Sequence, residues 1–437
     1  MGLEGIKNAI TKSGRDKVCI GFDLTDEFSQ LSISVGGEEP KTPSLIAGVD
    51  RLCIPTLLAK RYGESLWTYG EDAVEMSAAN EAFPIDRLVE RAREGRAVEV
   101  ETVDYDPVDL LALFIRKCLS RITAQTPMEK VAAIVVTVEV PDEQMIAILM
   151  RVVKTLRLKP ERVFFQSHAE SAYHYIMHQP PDVRAADACV CDLRSDGMHV
   201  TLFSQNIQTR PHVVIMQERH FADFLPEDLG SGKNIEGRKE KKDREFYQIL
   251  YSQIEDRRVS AVFLLGDGFE GGWCTESLKY LCRGRRVFRG NNLFSKGACY
   301  GAAEKLEVSE EERNSVFLGQ DKVKSNLGMR LLREGEDSYM ALLDAGKNWY
   351  DTSRECELML EDTDRLEFIV TPLNGKDVRH VPMYLKGLPL RKRRSTRIRL
   401  KLTMLSETKV SAVVTDLGFG EIFPSSGLEW ETSFHMA

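Results

Sequence analysis

The chain has 437 residues, a net charge of -8, 43% hydrophobic residues and 29% charged residues. This length allows two or three domains, and the negative charge argues against a general nucleic-acid-binding protein. No apolar run approaches a membrane span, and the N-terminus does not resemble a signal peptide. The nine cysteines form no CxxC pair. We therefore expect a cytoplasmic protein without a disulfide framework or a bound metal.

Apolar periodicity divides the first 300 residues into alternating strands and helices. Strands are predicted at 18–25, 132–138, 162–165 and 188–193, and helices at 110–119, 145–156 and 169–177. Such alternation is typical of an α/β sheet flanked by helices.

Two of these strands, in separate halves of the chain, end close to an aspartate, Asp23 and Asp192. Carboxylates at two strand ends can hold Mg²⁺ while backbone N–H groups of the next turn receive phosphate oxygens. The pattern thus predicts two lobes that close on a phosphate–metal site. The alternative is two unrelated buried strands followed by turn-forming aspartates.

Beyond residue 304 the pattern changes to short alternating runs. These runs lie at 340–343, 366–370, 398–402 and 410–414, and turn residues lie at 374–375, 387–389 and 424–427. The pattern predicts an antiparallel β domain, most simply a β-sandwich.

The order of several segments resembles the DnaK-type heat-shock chaperones, a branch of the actin-like ATPase superfamily. The segments are Gly21-Phe22-Asp23-Leu24, Lys41–Ser44, Tyr69–Ala73, Val135–Ser171, Asp192-Leu193, Leu229-Gly230, Val262–Gly268, Gly297–Ala303, Asn326–Gly328, Tyr384–Pro389 and Val410–Val413. The segments are spread along the chain, and the match extends over nearly its whole length.

The resemblance implies a two-lobed actin-like α/β domain over residues 1–303, with lobe I at about 1–185 and lobe II at about 186–303. A linker at 304–326 would follow, with Val316, Phe317 and Leu318 as its apolar part, and then a substrate-binding-like β-sandwich at 327–437. We do not expect the family's helical lid, because the chain ends soon after Trp430.

The resemblance also assigns roles at a nucleotide site. Asp23 and Asp192 would be its carboxylates and Gln166 its water-positioning residue, if nucleotide is hydrolysed. The nucleotide-binding positions would be Thr25, Gly197, Gly230, Gly266 and Gly268.

Several departures weaken this site. Asp26 and Glu27 replace hydroxyl residues of the first phosphate loop, and their charge would repel a polyphosphate. Arg194 begins a segment that replaces a glycine run, and His199 stands where the family has an aspartate. Asp86 replaces the catalytic lysine, which phosphoryl-transfer electrostatics disfavour.

The spacing between Asp192 and Gly266 leaves room for one helix, around Phe246 to Ile254. The subdomain that supplies the adenine clamp in this family is therefore expected to be missing.

These departures predict a chaperone-like protein- or peptide-interaction module with a degenerate nucleotide site and little or no ATP hydrolysis. No cofactor is then expected, whereas Mg-ATP or Mg-ADP would bind under the alternative, an active ATP-dependent chaperone with nucleotide-controlled peptide binding. Another activity, such as that of a kinase-like enzyme, is a third hypothesis. The pattern predicts proteins or extended peptides as partners and does not fix the oligomeric state.

In the β domain, the hairpin from Met340 to Leu358 resembles the segment that shapes the chaperones' peptide groove. Met340, Leu342, Trp349 and Tyr350 are the candidate peptide contacts, with ordinary packing of the two aromatic rings as the alternative. The basic run Arg391–Arg394 precedes a strand with one cationic face. It is either a solvated edge or a contact for an acidic partner.

One further cluster, His168, Glu170 and His174, suggests a metal site, but polar residues at a surface or lobe interface are the preferred interpretation.

Overall fold

The computed structural model describes residues 17–44, 52–123, 127–208, 211–226, 235–333, 335–361, 363–372, 377–389, 391 and 395–436. The chain divides into two compact units, unit 1 ending at Phe317 and unit 2 beginning at Leu318. No helix in these ranges is long and apolar enough to cross a membrane.

The first half of unit 1 contains a five-stranded sheet with an inserted smaller subdomain. Its elements are β1 (Val18–Leu24), β2 (Phe28–Val35), β3 (Ile54–Pro55), β4 (Leu58–Arg61), β5 (Trp67–Tyr69), α1 (Gly70–Ala78), β6 (Ala82–Ile85), α2 (Leu88–Glu94), β7 (Val98–Val100), β8 (Val103–Tyr105), α3 (Pro107–Thr123), β9 (Val131–Val138), α4 (Glu143–Thr155), β10 (Val163–Ser167) and α5 (His168–Met177). The main sheet has the order β10-β9-β1-β2-β3, and β5-β4-β6 and β7-β8 form separate small sheets.

The second half contains a six-stranded sheet. Its elements are β11 (Asp187–Arg194), β12 (Gly197–Asn206), β13 (His212–Phe221), α6 (Ile235–Ile254), β14 (Val259–Leu265), α7 (Thr275–Leu281), β15 (Arg286–Arg289), α8 (Leu293–Leu306), α9 (Glu310–Arg313) and β16 (Ser315–Leu318). The order is β15-β14-β11-β12-β13-β16.

The two sheets repeat one topology. In each, the first strand pairs antiparallel with the second and parallel with a later strand, β1 with β9 and β11 with β14. Three consecutive strands are therefore followed by two parallel strands, each of which precedes a helix. The strands and helices predicted over residues 18–193 are confirmed with small shifts at their ends.

Local signals explain where two of these helices begin. The side chain of Asp142 accepts a hydrogen bond from the backbone N–H of Met145, and Ser167 does the same for Glu170. Both are N-caps, which satisfy a backbone donor that the first helical turn leaves unpaired.

Helices α5 and α8 each pack against the sheet to which the strand before them does not belong. Tyr173 and other apolar residues of α5 pack in a core with strands β11, β12 and β14 of the second sheet. Ala298, Cys299 and Ala302 of α8 pack with β1 and β9 of the first sheet. Each sheet is thus covered by a helix that follows the last parallel strand of the other sheet, β10 for α5 and β15 for α8.

The first part of the stretch predicted as a linker, residues 304–317, belongs to unit 1. Val316, Phe317 and Leu318 belong to β16, which lies beside β13 in the second sheet. The ring of Phe317 is buried and stacks on Tyr173 with centroids 4.9 Å apart. Phe317 is consequently part of the core of unit 1.

Unit 2 consists of two four-stranded antiparallel sheets, which agrees with the predicted β domain. Its strands are β17 (Ser325–Arg333), β18 (Glu336–Leu343), β19 (Ser353–Leu360), β20 (Arg365–Pro372), β21 (Arg379–Tyr384), β22 (Thr396–Met404), β23 (Lys409–Asp416) and β24 (Glu429–His435). The sheet orders are β18-β17-β20-β21 and β19-β22-β23-β24. Phe368 of the first sheet stacks on Phe434 of the second at 5.4 Å. The predicted turn at Asn374-Gly375 lies outside the described residues.

Candidate functional site

A cleft of about 530 Å³ lies in unit 1, where the carboxyl ends of β1 and β9 face those of β11 and β14. Its acidic and basic lining residues are Asp23, Asp26, Glu27, Arg93, Glu139, His168, Asp192, Arg194, Asp196 and Asp267. Asp23 and Asp192, which the sequence singles out, therefore line one cavity.

Asp23 is buried at the end of β1 and pairs with the first residue of α5. Its Oδ1 lies 2.8 Å from Nε2 of His168, and that imidazole stacks on Phe294 with centroids 4.3 Å apart. The other ring nitrogen, Nδ1, is buried and has no hydrogen-bond partner among the described residues. With one nitrogen bonded to Asp23 and the other buried, His168 offers no accessible nitrogen to activate a water molecule.

Asp192 pairs with an arginine that reaches across the cleft. The Nε of Arg194 donates to Oδ2 of Asp192 at 2.6 Å, and its Nη1 donates to Oε1 of Glu139 at 2.8 Å. Burial opposes the charge of Arg194, but the carboxylates of Asp192 and Glu139 outweigh this effect and raise its pKa. The guanidinium thus joins the end of β11 to the residue that follows β9.

The loop after β1 satisfies its own polar groups. Oγ1 of Thr25 donates to the carbonyl oxygen of Phe28 at 2.6 Å. Asp26 accepts from the backbone N–H groups of Val89 and Glu90 at the start of α2, at 2.8 and 3.2 Å. Thr25, predicted as a phosphate contact, thus holds a tight turn, while Asp26 offsets the positive end of a helix.

The next residue of this loop joins it to the second sheet. Glu27 accepts a hydrogen bond from Oγ of Ser195, in the turn between β11 and β12.

Gln166 does not line the cleft, contrary to its predicted role as water-positioning residue. It is fully buried, and its Nε2 donates to Oγ of Ser171 at 2.7 Å. Its Oε1 faces α8, because a Cβ at Gly301 would lie within 2.5 Å of that atom, so the side chain points into the core. His168, two residues later, lies in the cleft instead.

The predicted nucleotide-binding glycines lie against protein backbone. Gly266 has φ of 93°, and a Cβ at this position would clash with the carbonyl oxygen of Leu193. A Cβ at Gly197, with φ of 131°, would clash with the carbonyl oxygen of Phe221. Packing between neighbouring chain segments therefore explains both glycines without a bound ligand.

The two remaining glycines of the predicted nucleotide site are Gly268 and Gly230. Gly268 lines the cleft beside Leu193. Gly230 lies outside the described residues.

The position predicted to replace a catalytic lysine is also turned from the cleft. Asp86 is not among the lining residues and pairs with Arg91 at 3.0 Å. Arg93 lines the cleft nearby, and its guanidinium donates to Oδ2 of Asp142 at 2.7 Å.

The lining as a whole is acidic. Seven carboxylates face two arginines and one histidine, and the described lining contains no lysine. Both arginines are already paired with carboxylates. The site therefore suits a cation or a polar neutral group better than a polyphosphate.

A histidine pair lies at the rim of the cleft. His199 of β12 and His220 of β13 are direct partners in the antiparallel pairing, and their rings stack at 4.2 Å. The pKa of His199 is raised, chiefly by Glu218 and against the effect of burial, and that of Glu218 is lowered by the same contact. The cluster predicted at His168, Glu170 and His174 has no such geometry: His168 pairs with Asp23, and His174 lies 3.7 Å from Glu170 inside the core.

Comparison with known families identifies the group to which this sequence belongs. The C-terminal region of DUF5716, a family of unknown function, matches residues 39–320. The chain belongs to this family. A domain of unknown function, DUF8552, matches residues 322–436. The two matches meet close to the boundary between Phe317 and Leu318, and no curated protein matches the chain.

In the DUF8552 part, the predicted peptide contacts are mostly packed. Leu342 and Trp349 are buried, and Met340 is half-buried. Trp349 meets Tyr350 edge to face at 5.4 Å, and the Tyr350 hydroxyl donates to Oδ2 of Asp321 at 3.2 Å. The alternative of ordinary packing therefore describes these two rings.

The basic run contains a buried residue rather than a continuous surface patch. Arg391 donates two hydrogen bonds to the carboxylate of Asp416, both at 2.8 Å, and Asp416 is 1% exposed. The following strand, β22, lies between β19 and β23 and is not a sheet edge. On its exposed face Arg399 pairs with Glu355 at 3.3 Å. Both earlier interpretations are therefore wrong for Arg391, and Lys392, Arg393 and Arg394 lie outside the described residues.

Proposed function

We propose that unit 1 is a two-lobed actin-like domain, related to the DnaK-type chaperones, whose nucleotide site no longer supports ATP hydrolysis. The chain as a whole then acts as a chaperone-like protein- or peptide-interaction module. The repeated topology of the two sheets supports the two-lobed interpretation. The packing of α5 on the second sheet and of α8 on the first sheet supports it further.

The observation that carries the loss of hydrolysis is the position of Arg194. Its guanidinium pairs with Asp192 and Glu139, where a hydrolytic site needs a metal and phosphate oxygens. Phosphoryl transfer depends on cations that neutralise charge developing on the transferred group. Here both arginines of the lining are engaged by carboxylates, which leaves that charge unbalanced.

The organisation of the second sheet is also relevant. Between Phe221 and Val259, the described residues contain α6 and no further strand or subdomain. This helix begins at Ile235, earlier than the predicted Phe246, and ends at Ile254 as expected. A domain without an adenine-clamp subdomain would hold the base weakly, in line with a degenerate site.

Calorimetric titration with Mg-ATP, together with a phosphate-release assay, tests this proposal. We expect no phosphate release above that of the matched variant Asp192→Asn. Turnover that this substitution abolishes would contradict the proposal. Saturable binding without turnover would retain a degenerate but occupied site.

A second variant tests the role of Arg194 directly. Arg194→Ala should expose Asp192 and Glu139 to solvent and enlarge the cleft without restoring phosphate release. The control is Arg257→Ala, because Arg257 is an arginine of unit 1 that does not line the cleft and pairs with Gln217 at 2.7 Å. Rapid hydrolysis in Arg194→Ala alone would mean that this arginine regulates a working ATPase.

Peptide interaction is assigned to unit 2, at the edge strand β18. Within the described residues β18 pairs only with β17, so its outer edge can receive an extended chain by main-chain hydrogen bonds. Tyr339 on this strand is 52% exposed and supplies an aromatic contact. This surface replaces Trp349 and Tyr350 as the centre of the proposed contact.

Fluorescence anisotropy with labelled unfolded peptides tests the edge. Tyr339→Ser should weaken binding roughly tenfold, since truncating an interface aromatic often costs more than about 1 kcal/mol. Tyr384→Ser is the matched control, because Tyr384 is 56% exposed on the opposite edge strand β21. Failure of the unsubstituted chain to bind any peptide at high micromolar concentration would contradict this assignment.

An active ATP-dependent chaperone is the second candidate. Two observations favour it: the cleft is open, and β16 lies in the same sheet as Asp192. Nucleotide in the cleft would then alter the sheet that holds Phe317. Limited proteolysis of residues 319–326 discriminates the two, because protection that depends on Mg-ATP supports the active chaperone.

A further inference from the structure

The turn between β11 and β12 brings three metal-binding side chains together. Asp196 lies in the turn, His199 follows on β12, and His220 stands opposite His199 on β13. One ligand atom from each of the three lies within 4.8 Å of the others. Among the described residues, these three are the histidine, cysteine and acidic side chains whose ligand atoms lie close enough together to hold one metal ion.

The ligand atoms are close to the separations that a metal imposes. Nε2 of His199 lies 3.1 Å from both carboxylate oxygens of Asp196, and Nε2 of His220 lies 3.7 Å from Oδ2. Tetrahedral zinc with bonds of about 2.0–2.1 Å places its ligand atoms roughly 3.3 Å apart. Small side-chain rotations are therefore enough to bring all three atoms onto one ion.

We propose that Asp196, His199 and His220 form a binding site for a zinc-class divalent transition metal at the rim of the cleft. Two imidazole nitrogens and one carboxylate oxygen are donors that favour zinc, cobalt, nickel, copper or ferrous iron over magnesium or calcium. The inference does not depend on the proposed function, because it concerns the rim and not nucleotide in the cleft.

A carboxylate behind the site supports His199 as a ligand. Oε1 of Glu218 lies 3.9 Å from Nδ1 of His199, the ring nitrogen that faces away from Asp196. A carboxylate that accepts a hydrogen bond from Nδ1–H favours the imidazole tautomer that leaves Nε2 free for a metal, and a small shift of Glu218 on metal binding would complete this contact. Glu218 is therefore a positioning residue for the metal ligand.

The backbone leaves room for His220. A Cβ at Gly197 would come within 3.0 Å of Nε2 of His220. In the present arrangement this nitrogen donates to the backbone carbonyl of Asp196 at 3.0 Å. Metal binding exchanges that hydrogen bond for a coordinate bond, and the single proton of the neutral ring then resides on Nδ1.

The site is accessible from solvent. The side chains of Asp196 and His220 are 57% and 41% exposed, whereas that of His199 is 10% exposed. Three protein ligands with an open side leave at least one coordination position for water. The segment that the sequence predicts as a phosphate loop thus offers ligands for a metal instead.

Titration of the chelator-treated full chain with Zn²⁺ and with Co²⁺ tests the site. We expect one equivalent of Zn²⁺ by calorimetry and visible d–d absorption bands with Co²⁺. Both signals should disappear in Asp196→Asn and in His220→Ala, whose exposed side chains leave the fold undisturbed. Glu218→Gln should weaken binding by about 10- to 100-fold.

Two control variants separate this site from adventitious binding. Cys282→Ser removes the exposed cysteine, and His380→Ala removes an exposed histidine paired with Glu367 at 3.3 Å. Both should bind Zn²⁺ as the unsubstituted chain does. The proposal is overturned if the unsubstituted chain binds no Zn²⁺, or if stoichiometric binding persists in both Asp196→Asn and His220→Ala.

Discussion

Arg194 in unit 1 and Arg391 in unit 2 each pair with an aspartate, but in opposite surroundings. The Arg194 side chain is 24% exposed and that of Asp192 12%, whereas Arg391 and Asp416 are 6% and 0% exposed. Arg194 also bridges to Glu139 across a cleft, while the partners of Arg391 all belong to one sheet and its adjoining loop. An Arg–Asp ion pair thus fills part of a cleft in unit 1, whereas a pair of the same type stabilises the buried part of a sheet in unit 2.

Hydrogen bonding follows the same contrast. Asp416 accepts from Gly418 and Ser426 backbone N–H groups at 3.1 and 2.7 Å, in addition to Arg391. A buried charge is tolerated when its remaining hydrogen-bonding capacity is satisfied in this way. Asp192 instead lines a cleft of about 530 Å³, so water can replace Arg194 there.

The largest expected effect comes from breaking the buried pair. Arg391→Ala should lower the free energy of unfolding of unit 2 by about 3–5 kcal/mol, because it leaves the Asp416 charge buried and uncompensated. Denaturant unfolding, with hydrogen exchange in β22 and β23 to locate the loss, measures this. Arg399→Ala, which removes a surface pair of the same sheet, should cost no more than about 1 kcal/mol. Equal losses in the two variants would remove the distinction.

Acidification should affect unit 2 through the same residue. Arg391 lowers the pKa of Asp416 below its usual value, an effect that burial opposes. A carboxyl whose pKa is lower in the folded state contributes stability above its unfolded pKa of about 3.9, and loses it as the pH falls towards the folded value. The free energy of unfolding should therefore decline below roughly pH 4.

The matched acid variants are Asp416→Asn and Asp344→Asn. Asp416→Asn should remove part of this decline, whereas Asp344→Asn, at an exposed residue paired with Lys347, should leave it unchanged. An unchanged acid profile in Asp416→Asn would contradict the assignment of the decline to this carboxyl.

The smallest expected effect is that of Arg194→Ala on stability. Since water can enter the cleft and hydrate Asp192 and Glu139, we expect a loss well below the roughly 3–5 kcal/mol expected for a fully buried pair. Thermal or denaturant unfolding of the full chain measures it. A loss as large as that of Arg391→Ala would show that the Arg194–Asp192 pair is needed for the stability of the fold.

The sequence predicts the helices and strands better than it predicts the side-chain contacts between them. Buried residues at helical spacing in α4, and the unbroken apolar run of β9, are local signals set by burial on one face or both. The antiparallel β domain follows from alternation that continues through β22, where Ile398, Leu400 and Leu402 are all buried.

The active-site assignment failed at the boundary between a strand and the following helix. Gln166 lies on β10 and points into the core, while His168 begins α5 and reaches Asp23. The strand ends at Ser167 and the helix begins at His168, and the sequence does not fix such a boundary to the residue.

Long-range partners were also beyond the sequence. Arg391 reads as part of a surface run because its partner Asp416 lies on a different strand. The stacking of His199 and His220 depends on the register of β12 and β13, which no local pattern specifies. These side chains meet only once the sheets have formed.

The docking of Phe317 bears on how the chain can be divided experimentally. A truncation after residue 303 would remove β16 together with the ring that covers Tyr173 and packs near Phe203. The shortened product would expose aromatic surface and the free edge of β13, which favours aggregation. An autonomously folding N-terminal fragment therefore has to extend through Phe317.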